Sequence, residues 1–149
     1  MQAQLLTPAA ALVCWSLVML LWVAATRFPA MAKLGVDITK VPPGGRGQDL
    51  QGKLADPIMW KSHNYTHLME QPTIFYPAVI ILALAGATSL DVGLAWAYVV
   101  IRIIHSIWQA TVNRLPVRAG LFFISTFVLI ALAIRALLAT LNAAPGVVA

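Results

Sequence analysis

The chain has 149 residues, 60% of them hydrophobic and only 10% charged, with a mean hydropathy of +0.83. An ordinary soluble domain carries about 45–50% apolar and about 25% charged residues, so this chain cannot cover a core with polar surface; it reads as an integral membrane protein. The net charge of +5, ten Lys and Arg against five acids, then reports membrane orientation and excludes a nucleic-acid partner, while the single Cys14 excludes an intrachain disulfide or a thiolate zinc site.

The first uncharged run, from Pro8 to Thr26, is long enough to cross about 30 Å of hydrocarbon. Thr7-Pro8 reads as an N-cap hydroxyl followed by a helix-starting proline, and predicts a span over about 8–28. A cleaved signal peptide fits poorly, because residues 1–7 carry no Lys or Arg. A long connection, about 29–56, follows; its Val41-Pro42-Pro43-Gly44-Gly45-Arg46-Gly47 segment cannot be helical. Asp56-Pro57 repeats the cap-then-proline pattern and predicts one helix over 57–86 with a polar first half. Pro72 and Pro77 lie within it as tolerated bends. A third span over 90–114 is interrupted only by Arg102 and His105, and a fourth over 118–141 only by Arg135. The expectation is an all-α four-transmembrane-helix bundle forming one domain over 1–149.

Orientation follows from where the cations fall. Arg27, Lys33, Lys40, Arg46, Lys53 and Lys61 lie in or beside the first connection, and Arg114 and Arg118 bracket the third. The N-terminus, the turn at Gly86–Asp91 and the C-terminal tail have none. Positive loops stay cytoplasmic, so both termini are expected outside.

Ionisable side chains inside spans point to function. On the second helix His63, His67 and Glu70 are spaced i, i+4, i+7 and share a face; on the third, Arg102, His105, Gln109 and Asn113 form another stripe. Two polar stripes predict a shared cleft. At about 1.5 Å per residue, Glu70 lies about 24 Å inward of Gly86 and Arg102 about 18 Å inward of Leu90. That difference is within an arginine's reach, and a Glu70–Arg102 ion pair is expected to relieve both charges. Arg135, near the outer end of the fourth span, is expected to snorkel to the headgroups. His63, His67, Glu70 and His105 could in principle hold a metal, but Lys61 and the nearby arginines favour an anion over a cation. The Arg114-Leu-Pro-Val-Arg118 turn reads equally as a positive-inside signal or as a cationic cap that stabilises an anion or thiolate.

Two segments carry a resemblance: Trp60-Lys-Ser-His63-Asn-Tyr-Thr-His67-Leu-Met-Glu70, and Arg102-Ile-Ile-His105-Ser-Ile-Trp-Gln109 followed by Arg114-Leu-Pro-Val-Arg118. With the four-span layout, the chain resembles the MAPEG family, membrane-associated proteins of eicosanoid and glutathione metabolism. The first segment is similar to the family's Arg-x3-Asn-x2-Glu signature, the second to its third-helix motif and turn. The resemblance implies a homotrimer that binds glutathione between neighbours at the cytoplasmic side. Lys61, His63, His67, Glu70, Arg102, His105, Gln109 and Arg114 would lie around the co-substrate, with Arg118 activating its sulfur. The implied activity is that of a glutathione-dependent transferase or peroxidase acting on a lipophilic small molecule arriving from the lipid bilayer, in a bacterial inner membrane. The departures are His63 and His67 where the family has Arg and Asn, Gln109 where tyrosine is common, and the early Pro72. Histidine is a weaker carboxylate anchor than arginine. A non-catalytic lipid-binding or scaffolding role is the alternative. A small multidrug transporter ranks third, because the first span lacks an acidic residue.

Overall fold

A computed structural model describes residues 1–142 of the chain. The C-terminal tail, assigned above to the outer side, falls outside the described residues. Among those residues the chain folds into helices α1 (Gln2–Lys33), α2 (Asp56–Leu68), α3 (Pro72–Gly86), α4 (Ser89–Thr111) and α5 (Leu115–Leu141), with no strand. Two short 3-10 turns, Ile38–Lys40 and Gly47–Leu50, punctuate the connection between α1 and α2. Four segments are long and apolar enough to cross a membrane: α1, α2 with α3 as one span, α4 and α5. The molecule is inverted relative to a soluble one: Leu21, Leu84, Phe127 and Leu137 lie on its surface, where a bilayer accepts what water would not.

The first helix exceeds its expected 8–28 at both ends. Thr7 is not the cap: its hydroxyl turns back onto the Ala3 carbonyl at 3.0 Å, inside a helix already under way. The second span is not one continuous helix. Pro72 has no N–H to give the Leu68 carbonyl, so the chain breaks into a tight turn over Met69–Gln71, where the Thr73 hydroxyl donates to the Glu70 carbonyl at 2.5 Å. The His67 carbonyl, loosened by the break (Glu70 N–H at 3.4 Å), accepts from Arg102 Nη2 at 3.2 Å.

α4 opens with a reciprocal cap. The Thr88 backbone N–H and hydroxyl both donate to Asp91, and the Asp91 N–H returns to the Thr88 hydroxyl. Asp91, 1% exposed, also pairs with Arg135 of α5 at 2.5 Å. The reading of Arg135 as a residue reaching only for headgroups thus missed a carboxylate partner on the neighbouring helix. Between α4 and α5 the chain turns through Asn113 at φ +54°, a left-handed conformation that asparagine tolerates better than most residues.

α4 packs on α1, α2 and α5, while α3 packs on α1 and α5. Leu12, Met19, Phe75, Val79, Tyr98 and Leu132 form the apolar core, with the Phe75 and Tyr98 rings stacked at 4.4 Å. This core fills the end of the bundle formed by the α3–α4 turn and the middle. Apart from the Asp91–Arg135 pair, the charged and histidine side chains gather toward the other end, beside the 34–55 connection and the α4–α5 turn, hereafter the loop end.

Candidate functional site

The break before Pro72 organises the site. By ending α2 at Leu68, it turns Glu70 outward, and its carboxylate accepts from or shares a proton with His67 Nδ1 at 2.9 Å. The Glu70 side chain is 62% exposed. The expected Glu70–Arg102 ion pair is thus absent from the chain, since the depth argument assumed an unbroken helix. Arg102 is fully buried, with Nη2 on the His67 carbonyl and with Nε and Nη1 unpartnered.

His67 is the hub. Its ring lies 5.1 Å from that of His105 and 5.4 Å from that of Phe122. His105, 1% exposed, leaves its Nε2 unpartnered. Behind this pair, Ser106 Oγ accepts from Trp15 Nε1 at 2.9 Å and from Asn64 Nδ2 at 2.7 Å, joining α1, α2 and α4 through one hydroxyl. One turn further along, Gln71 accepts from the Tyr98 hydroxyl and donates to Thr126, tying the break to α4 and α5.

A cavity of about 780 Å³ opens in front of His67, between α1, the connection and α2. His63, His67, Glu70 and Gln109 line it, joined by Arg27 and Arg46. Leu20, Val23 and Met59 give it an apolar wall. Three atoms of its lining residues are buried without a partner: Arg27 Nε, Ser62 Oγ and Gln109 Oε1. Buried polar atoms are ordinarily hydrogen-bonded, so such a set marks a place where a polar ligand or water completes the bonding. Among the described residues, no group of three His, Cys, Asp or Glu side chains comes together as metal ligands do.

The residues singled out from the sequence therefore separate. His63, His67, Glu70 and Gln109 share the cavity; Arg102 and His105 lie buried against the far side of α2. Arg118 does not line the cavity. Its guanidinium is held by Asn113 Oδ1 at 2.7 Å, and Phe122, one turn on, meets His67. Lys61 stands apart, its ammonium on the Pro57 carbonyl and over the Trp22 ring. Arg114 is exposed at the start of α5, where its carbonyl accepts from Trp108 Nε1 and from the Arg118 backbone N–H. Sequence reasoning missed Arg27, Arg46, Ser62, Asn64 and Ser106. Arg27 and Arg46 had been read only as topology signals, and the neutral three sit between more conspicuous charges.

The fold and site define a class: an all-α integral membrane protein whose polar cavity lies at one end of a four-span bundle. The chain belongs to the MAPEG family, whose family profile matches residues 5–138. Membership places it among membrane proteins of glutathione-related transferase and peroxidase chemistry in general. No curated protein and no solved structure gives a significant match.

Proposed function

We propose that this protein binds glutathione at the loop end and uses it in transferase or peroxidase chemistry on lipophilic electrophiles. The observation that carries the reading is the cavity in front of His67, with its unpartnered Arg27 Nε, Ser62 Oγ and Gln109 Oε1. Glutathione carries two carboxylates, an ammonium and two amides. Arg27 and His63 suit a carboxylate, Glu70 the ammonium, and Ser62 and Gln109 the amides. The tripeptide supplies the thiol nucleophile; the chain's own residues orient it and favour loss of its proton.

Arg118 is the residue assigned to the sulfur; it stands outside the cavity, held by Asn113, with Phe122 of the same helix against His67. A thiol has a pKa of about 8.5, and each unit of lowering needs about 1.4 kcal/mol of preference for the thiolate. A guanidinium in a poorly hydrated groove supplies this without itself reacting. The reading includes a homotrimer, in which a neighbouring chain closes the groove around Arg118, and an inner membrane of bacterial type with both termini outside the cytoplasm.

That Arg118 does not line the cavity favours a second reading, a non-catalytic lipid-binding member of the family. Calorimetric titration of glutathione into detergent-purified protein, followed by ultraviolet absorbance of the thiolate, separates the two. Binding with thiolate formation at neutral pH is expected. Binding without thiolate favours the second reading, and no binding removes the first.

A further inference from the structure

A second cavity, of about 730 Å³, lies between the C-terminal turns of α1 and the connection that follows. We propose that it binds the phosphate headgroup of an anionic phospholipid. Arg27, Arg46 and Lys53 line it against a single carboxylate, Asp49. Asp49 neutralises none of them: its carboxylate accepts from the Arg46 backbone N–H at 2.7 Å. Among the described residues no carboxylate lies within 4.0 Å of any of the three cations. The Arg27 Nε is buried without a partner.

The remaining wall is apolar, formed by Phe28, Met31, Val36, Val41 and Pro42. Cations on one side and hydrocarbon on the other match a phosphodiester attached to acyl chains, where a free phosphate would leave the apolar wall unused. The height is also right. α1 has 32 residues, so at 1.5 Å each it is about 48 Å long against about 30 Å of hydrocarbon. Its uncharged run ends at Thr26 and Arg27 and Lys33 follow, so the last turns, which carry Phe28 and Met31, are the ones that extend toward the headgroups. The basic connection lies by the positive-inside rule on the leaflet richest in anionic lipid, where each near-surface cation contributes about a fivefold preference. Lys53, Phe28 and Met31 belong to this cavity alone, whereas Arg27, Arg46 and Gly47 line both. The headgroup thus braces one wall of the candidate glutathione site.

The test is titration of dioleoyl phosphatidylglycerol into the delipidated protein in neutral detergent, with bound lipid counted by native mass spectrometry. One phosphatidylglycerol per chain is expected to be retained, and phosphatidylcholine is not. Lys53→Gln weakens retention about fivefold, and Lys53→Gln with Arg46→Gln about thirtyfold. Lys33→Gln with Lys40→Gln, cations outside the cavity, changes it less than twofold. Equal losses in the two double variants, or equal retention of phosphatidylcholine, would overturn the proposal. Glycerol 1-phosphate binding as tightly as the lipid would overturn the lipid assignment in favour of a free phosphate ester. Because Lys53 is absent from the first cavity, its effect on lipid is read independently of glutathione binding.

Discussion

The two ends of the bundle treat buried charge in opposite ways. At the far end, Asp91 is 1% exposed yet fully engaged: Arg135 pairs with it, Thr88 donates to it twice, and the Thr88 hydroxyl accepts from Arg135 as well. At the loop end, Arg102 is equally buried but has one carbonyl partner and no carboxylate, and His105, Asn64, Ser62 and Gln109 each leave an atom unpaired. A charge in low dielectric is tolerated when paired and costly when not. The far end is therefore a structural clasp between α4 and α5. The loop end instead leaves buried polar atoms without partners, the pattern on which the proposed ligand site rests.

The contrast can be broken by mutation. Asp91→Asn leaves the Arg135 guanidinium, one-third exposed, without its counter-charge and is expected to destabilise the protein by about 1–3 kcal/mol, measured by thermal unfolding in detergent. Adding Arg135→Gln should recover much of that loss. If the single variant costs nothing, the far end is no clasp. Arg118→Ala acts on chemistry instead. Among the described residues its guanidinium is engaged by Asn113 alone, so unfolding should shift little, while glutathione-dependent turnover falls about a hundredfold and glutathione affinity stays within a few-fold. Intact turnover would return the Arg114–Arg118 turn to a topology signal.

Smaller effects sharpen the boundary of the site. A Cβ at Gly47 would meet the Arg27 guanidinium, which donates to the Gly47 carbonyl, and the flexible arginine would have to move. Gly47→Ala should displace Arg27 and weaken glutathione binding several-fold by calorimetry, with unfolding changed by less than about 1 kcal/mol. Unchanged binding would remove Arg27 from the site. Orientation is tested by labelling after Cys14→Ser. A cysteine introduced at Gln2 should react with an impermeant maleimide in intact cells, and one at Gly45 should not; the reverse pattern would invert the topology.

The four spans were legible because apolar runs of this length have few other uses, and the histidine and glutamate stripe because helical spacing aligns it. The helix break was visible as Pro72 but was read as a bend, and this hid the geometry that matters. An unbroken helix would place Glu70 toward Arg102; the broken one gives Arg102 a backbone carbonyl and frees Glu70 for His67. Arg135 was misread because its partner lies 44 residues earlier in the chain, where only helix pairing brings them together. Asp91 had drawn notice only as the end of the turn that begins at Gly86. Asn64 and Ser106 carry no charge and no periodic signal, so nothing short of the packed bundle shows that they meet.

The central claim, that the loop end withholds its polar groups for a ligand, is tested most directly by the melting temperature of Gln109→Met with and without glutathione. The substitution replaces a cavity-lining amide whose buried Oε1 has no partner with an apolar side chain of similar size, so little is lost without ligand. The account predicts that the ligand-free variant melts within about 4 °C of the wild type or above it. It also predicts loss of the stabilisation of about 2.7 kcal/mol that glutathione at a hundred times its Kd confers on the wild type. A fall in the ligand-free melting temperature as large as that of Asp91→Asn, with the glutathione shift retained, would contradict it.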